Sequence, residues 1–379
     1  MKRTLNPQMM EFQSEVQAFV RANKPADGDV WADARWCRAL VEKGWQAPGW
    51  PEELGGTGWD ATRRYLWLKT LCEEIPGYRG HVGIEQVAPL LMTWASRQQQ
   101  DRWLPAILSF DEHWILGCYD ADTSLGDAQA TARDVADGWQ ISGHKSWLIP
   151  VQGQTNMLAT ARISQSSGEV GLFALDVTAA AEAGALVTQD IEHLDGTSSL
   201  RMDFTCAPCE LVHRFASAGT ARAALAPLLV RGLGESGIAR AQLAVLQASA
   251  DAAVQAGTEV HAVEIELSAL EIMEQRYVDA MVRGIEPPFP ALALQVRTNQ
   301  LLTKIGALLV DSFGYYALPF PDLALSHNEP LPGGLPVRRA MRDWLTQTAY
   351  VNYLGLAGNE YDKLSLVLSI DQEESLRGN

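Results

Sequence analysis

The strongest constraint on the fold is a change of texture along the chain: helical periodicity at both ends and strand-like runs between them. In 7–22 the apolar residues Met10, Phe12, Val16, Phe19 and Val20 recur at mixed three- and four-residue spacing, with Glu11, Glu15 and Arg21 on the wet side. Further helices are predicted over 62–74 and 97–109, with Pro105 near a boundary or a kink. From Trp114 short β-branched and aromatic runs take over, at 114–119, 128–135, 139–142, 157–163, 171–177 and 200–205. Turn signals at Ala136-Asp137-Gly138 and Ser142-Gly143 separate some of them. After about Gly219 alanine- and leucine-rich segments return, predicting helices over 225–256, 263–283, 290–309 and 338–369. The expected architecture is α+β in three domains: helices over 1–113, a β unit over 114–218, and a helical bundle over 219–379.

Composition narrows the function. A chain of 379 residues, 47% of them hydrophobic, can bury a large core. Its formal net charge of −16, without a basic run, argues against binding nucleic acid through the phosphate backbone. No run of eighteen apolar residues is present to span a bilayer, and the start, Met1-Lys2-Arg3-Thr4, moves straight into polar sequence, so a cytoplasmic protein without a membrane segment is expected. Five cysteines, an odd number, do not form the framework of a secreted disulfide protein. Cys206 and Cys209 have the spacing of a metal or redox pair, but no second pair completes a zinc site, and no metal is expected.

Several strings, in order, resemble the acyl-CoA dehydrogenase family. Gly44-Trp45 followed by Trp50-Pro51-Glu52-Glu53-Leu54-Gly55-Gly56-Thr57-Gly58 is similar to a recognisable family turn. Gln100 to Ser109 is similar to the helix that precedes the family's β domain. Asp137-Gly138-Trp139-Gln140-Ile141-Ser142-Gly143-His144-Lys145-Ser146-Trp147 resembles its clearest β-domain string, and Cys206-Ala207-Pro208-Cys209 falls at the β-domain exit. Gly237-Ile238-Ala239-Arg240, Ser312-Phe313-Gly314-Tyr315 and Arg342-Asp343 match strings of the last third. The resemblance implies an acyl-CoA dehydrogenase-like fold with an N-terminal helical domain, a central β-barrel-like domain and a C-terminal four-helix bundle. It also implies FAD as cofactor, an acyl-CoA substrate, an electron-transfer flavoprotein as acceptor, and a place in lipid or steroid catabolism. Flavin contacts are expected from Cys118, Tyr119, Ser124, Trp147, Ile149 and Gly314, with Ser124 bonding the cofactor and Trp147 packing near its ring.

The chain departs from the family where the chemistry sits. Desaturation needs a base for the α proton while the β hydride goes to the flavin. The usual glutamate position falls on Val351, or on Leu356 if a gap is allowed, and the alternative position falls on Pro227. Glu235 and Glu360 are the nearest carboxylates and remain weak candidates for a base. Ile149 stands where the family places a hydroxyl residue beside the ring, and Asp311-Ser312 stand where it has two glycines. This pattern resembles the non-catalytic subunit of heteromeric acyl-CoA dehydrogenases, a chain that keeps the scaffold and works in a homo- or hetero-oligomer with a catalytic paralogue. Two alternatives stand beside it: a self-sufficient flavoenzyme of the same fold, such as a flavin monooxygenase, and a non-enzymatic structural partner.

Overall fold

A computed structural model describes residues 6–25, 30–75, 78, 80–118, 128–151, 153–166, 168–192, 198–225, 228, 232–248, 257–287 and 291–313. The first helices are α1 (Pro7–Asn23), α2 (Ala34–Lys43) and α3 (Ala61–Glu74). Each begins on a side-chain cap: Asn6 accepts from the Met9 amide, Asp33 from Arg35 and Trp36, and Asp60 from Arg63. Their inner faces meet in a core rich in tryptophan, where Trp36, Trp45 and Trp67 pack with Phe19. A π-helical turn over Val82–Val87 leads into α4 (Ala88–Trp94) and α5 (Arg97–Leu108). The α5 helix opens with a capping box, Ser96 with Gln99, and runs through Pro105 for one further turn.

Seven strands follow: β1 (Trp114–Gly117), β2 (Thr131–Val135), β3 (Gly138–Leu148), β4 (Asn156–Ile163), β5 (Val170–Asp176), β6 (Leu186–Glu192) and β7 (Ser198–Phe215). Strand β4 pairs with β2, β2 with β3, β3 with β7, β7 with β5, and β5 with β4, so the ladder closes on itself. Closure removes open edges, leaving β1 beside β4 and β6 beside β7. Inside lie Ile115, Ile141, Met157, Phe173, Met202 and Phe204.

Two short helices, α6 (Val177–Glu182) and α7 (Ala218–Leu225), flank the barrel strands. The described bundle then comprises α8 (Glu235–Ala248), α9 (Gly257–Val282) and α10 (Ala291–Phe313), packed through Leu243, Leu246, Leu267, Leu270, Leu301 and Ile305. No described helix is long and apolar enough to cross a membrane.

The structure corrects several expectations. Ser142-Gly143 is not a turn: both lie inside β3, at a bulge where its register with β7 shifts. Across from it Cys206 adopts a φ of +51°, and its amide donates to Ser142 Oγ at 3.0 Å in place of a ladder bond. That local irregularity, together with Pro208, made the 18-residue β7 read as a short strand ending at 205. Strand β6 escaped the pattern because it pairs only with β7 and leaves Val187 57% exposed. The helix expected over 225–256 begins only at Glu235, after Gly232 and Gly234 at φ +68° and +81°. The helix expected over 338–369 lies outside the described residues.

Candidate functional site

Of the residues assigned to the flavin, Cys118 follows β1 and is buried, and Ile149 follows β3 and is half-buried. Cys118 is packed into the core with Trp114 and Leu158, and the Ile149 side chain cannot donate a hydrogen bond. Trp147 lies in β3; its side chain, together with Tyr119, Ser124 and Gly314, lies outside the described residues. The same holds for Val351, Leu356, Glu360 and Pro227.

Glu235 is described, and it begins α8 in a buried polar junction between α3, α8 and α9. The centre of that junction is Glu274 on α9, fully buried. Its carboxylate accepts the Glu235 amide at 2.9 Å, the Ser236 amide at 3.2 Å, and the Ser236 hydroxyl. It thereby caps the first turn of α8 from a neighbouring helix. Burial pushes its pKa up to about 7, with the nearby Glu235 adding to the rise and the Ser236 hydroxyl opposing it. One turn earlier on α9, Glu271 accepts from Arg240 Nε at 2.9 Å and lies 3.5 Å from Lys69 Nζ on α3. Gly237 allows this proximity, since a Cβ there would stand 2.8 Å from the Lys69 carbonyl oxygen. The arrangement is a helix junction in which Glu274 caps the Glu235 amide and the Glu235 side chain is buried.

A second group gathers where the Pro48–Gly58 turn meets α3 and the π-helical turn. Trp50 Nε1 donates to the Ile84 carbonyl at 2.9 Å, locking the two turns together. His81 caps the π-helical turn by accepting the Ile84 amide at Nδ1 (3.1 Å), with its ring edge-on to Trp31 and Phe110. Burial, and then the nearby His113, push its pKa down to about 4. The Tyr78 hydroxyl donates to Glu85 at 3.2 Å. Arg64, on α3, faces this group together with Tyr277 of α9.

Residues 6–111 match the family description "Acyl-CoA dehydrogenase, N-terminal domain". The acyl-CoA dehydrogenase IpdE1 of Mycobacterium tuberculosis is 33% identical over 115 residues, 30% of each chain. The fold resembles a chain of the ChsE4-ChsE5 complex from M. tuberculosis with a TM-score of 0.75 at 18% identity, covering 97% of both chains. Residues 6–111 carry an acyl-CoA dehydrogenase N-terminal domain, and the fold is acyl-CoA dehydrogenase-like. The fold also resembles a glutaryl-CoA dehydrogenase from Mycobacterium smegmatis solved in complex with FADH2, with a TM-score of 0.72 at 14% identity over 99% of this chain and 96% of that one. The aligned stretches span less than half the length of the mycobacterial relatives matched in sequence.

Sequence reasoning found the string Gly237 to Arg240 but missed Glu274, which caps Glu235 and Ser236 immediately before it. It also missed Arg64 and His81. Helical periodicity placed Arg64 on α3 without indicating that the side chain is half-buried against Gly49. His81 carried one legible signal, a cap-competent residue three positions before the Ile84 amide it holds.

Proposed function

We propose that the chain is a subunit of an FAD-dependent acyl-CoA dehydrogenase that desaturates an acyl-CoA thioester, and that a catalytic paralogue supplies the base. The observation that carries this reading is the replacement of the family's carboxylate by Val351 or Leu356 at one position and Pro227 at the other, in a chain that retains the family's architecture. The placement of Glu235 in the α8 cap supports it, because a carboxyl group enclosed at a helix start is poorly situated to take a substrate proton. Bound FAD would accept the hydride leaving the β carbon. This chain's own part is to present apolar surface from Ile149 and to keep water from the ring. An electron-transfer flavoprotein is the acceptor this reading expects.

Expression of the chain alone and together with a paralogue that carries the glutamate tests the proposal. Visible flavin absorbance and its bleaching by acyl-CoA are expected only in the joint preparation. Full FAD occupancy with turnover in the isolated chain sinks it.

A further inference from the structure

A helix on the outside of a bundle needs one apolar stripe, and α9 carries two. The inner stripe, with Val263, Leu267 and Leu270, is buried against α8 and α10. The outer stripe runs Ala262, Ile265, Ala269, Ile272, all of them exposed, with Ile265 71% and Ile272 42% accessible. Its spacing of three, four and three residues is the repeat by which one helix seats along another in a coiled coil. Single exposed apolar residues are normal on a surface, whereas a contiguous seam with this repeat marks a contact face.

The order of sizes along the seam specifies what it fits. Small and large residues alternate, so a copy of the same helix, laid antiparallel about a two-fold axis at the level of Leu267, sets each isoleucine opposite an alanine. Ile265 of one copy then meets Ala269 of the other, and Ala262 meets Ile272.

Charge agrees with the same register. Glu259 and Arg276, near the two ends of the seam, are exposed and form no ion pair among the described residues. They stand 17 residues apart, about 26 Å along the helix, too far to meet within one chain. Antiparallel packing about the same axis brings Arg276 of each copy to within one residue's rise of the level of Glu259 of the other, giving two pairs of opposite charge. Beside the axis Glu266 approaches its own copy, but its carboxylate is held by Lys304 at 2.6 Å, with Arg297 4.0 Å away, so two cations offset that flank.

We infer that the outer seam of α9 is a self-association surface, on which a second copy of this chain docks its own α9 antiparallel across a two-fold axis. The contact involves neither flavin nor a paralogue, so it goes beyond the dehydrogenase reading and does not rest on it.

The test is sedimentation velocity of the full chain over a concentration series reaching about 100 µM, a range that detects a weak interface of helix size. Wild type is expected to show a reversible monomer–dimer equilibrium. Ile265→Asp places a charge in the seam and is expected to stay monomeric throughout, with the circular dichroism of wild type because the position is exposed. Glu259→Arg and Arg276→Glu each turn two attractions into repulsions, and each is expected to weaken dimerisation about tenfold. A chain carrying both substitutions re-forms the pairs across the axis, and its dimerisation is expected to return to within about twofold of wild type. That rescue cannot arise inside one chain, given the separation of the two residues. A wild type that stays monomeric, a dimer that Ile265→Asp leaves intact, or a double variant no better than the single ones would each overturn the inference. A seam covered by a different protein, or by residues 314–379 of this chain, gives the first of these results. None of the readouts involves flavin or turnover, so failure here and failure of the dehydrogenase reading are distinguishable.

Discussion

Replacing Glu274 with glutamine isolates the ionisation of one buried carboxyl group. In the folded chain Glu274 titrates at about 7, against 4.5 for an unperturbed glutamate. A raised folded pKa means that the native state holds a proton which the unfolded state releases. The stability this contributes is fully present below pH 4.5 and is lost as pH rises toward 7. The span of pKa corresponds to about 3 kcal/mol between those limits, at roughly 1.4 kcal/mol per unit. Glu274→Gln retains an acceptor for the Glu235 and Ser236 amides but has no proton to lose. The assay is urea unfolding of both proteins at pH 4.5, 5.5, 6.5 and 7.5, followed by tryptophan fluorescence. The stability of the variant relative to wild type is expected to climb with pH by about 3 kcal/mol, with most of the rise below pH 7. A difference that stays flat across the series, or that moves in favour of the wild type, refutes the reasoning. Either result would mean that the three donors around Glu274 hold it as a carboxylate despite its burial.

Three further perturbations follow from the same geometry. His81, pushed down to about 4 from 6.5, has the opposite linkage: its stability is present above pH 6.5 and lost as pH falls toward 4. His81→Asn keeps a cap acceptor, so wild type should lose about 3 kcal/mol relative to it between pH 6.5 and 4 in the same unfolding assay. Gly237→Ala drives a methyl to 2.8 Å from the Lys69 carbonyl and 3.1 Å from Cys72 Cβ, and denaturant midpoints should report a loss of about 1–3 kcal/mol from the α3–α8 contact. Gln100 donates through Nε2 to the carbonyls of Leu91, Met92 and Ala95, and Gln100→Ala should cost about 1–2 kcal/mol, measured in the same way, by stripping the end of α4.

Glu274 and His81 titrate over overlapping windows with opposite sign, so the wild-type pH profile hides both. Between pH 4.5 and 6.5 the native state gains from releasing the His81 constraint about what it loses at Glu274, and only the single variants reveal the slopes. The double variant is the internal control. The two residues lie in different packing groups, one beside the π-helical turn and one at the α8 cap, so their effects should add.

The strings legible in the sequence are those for which local backbone demands a particular residue. Gly237 is needed because α8 lies against the α3 backbone, Gln100 because α4 ends three unsatisfied carbonyls short, and Trp50 because its indole N–H fastens one turn to another. Such demands repeat at fixed spacing, so they read directly and in order. The strands were legible except where β3 and β7 exchange a ladder bond for the Ser142 hydroxyl and where β6 has one partner only.

Residues that acquire their character from long-range packing left no such trace. Arg64 and Arg240 are both arginines on amphipathic helices, and nothing local separates the half-buried one from the one fixed by Glu271. Likewise Glu235 and Glu274 are both helix glutamates, 39 positions apart, and only the fold brings the second carboxylate to the amide of the first. Sequence reasoning proposed Glu235 as a base because it lies nearest the family's position. The fold gives a physical reason to look elsewhere: the start of α8 is closed by a second carboxyl group, and protonating or ionising that pair changes how α3, α8 and α9 hold together. A base that must exchange its proton with substrate at every turnover would carry that disturbance into the helix junction each time. The family's chemistry is better served by a carboxylate outside this cap, which on the proposed reading the paralogue provides.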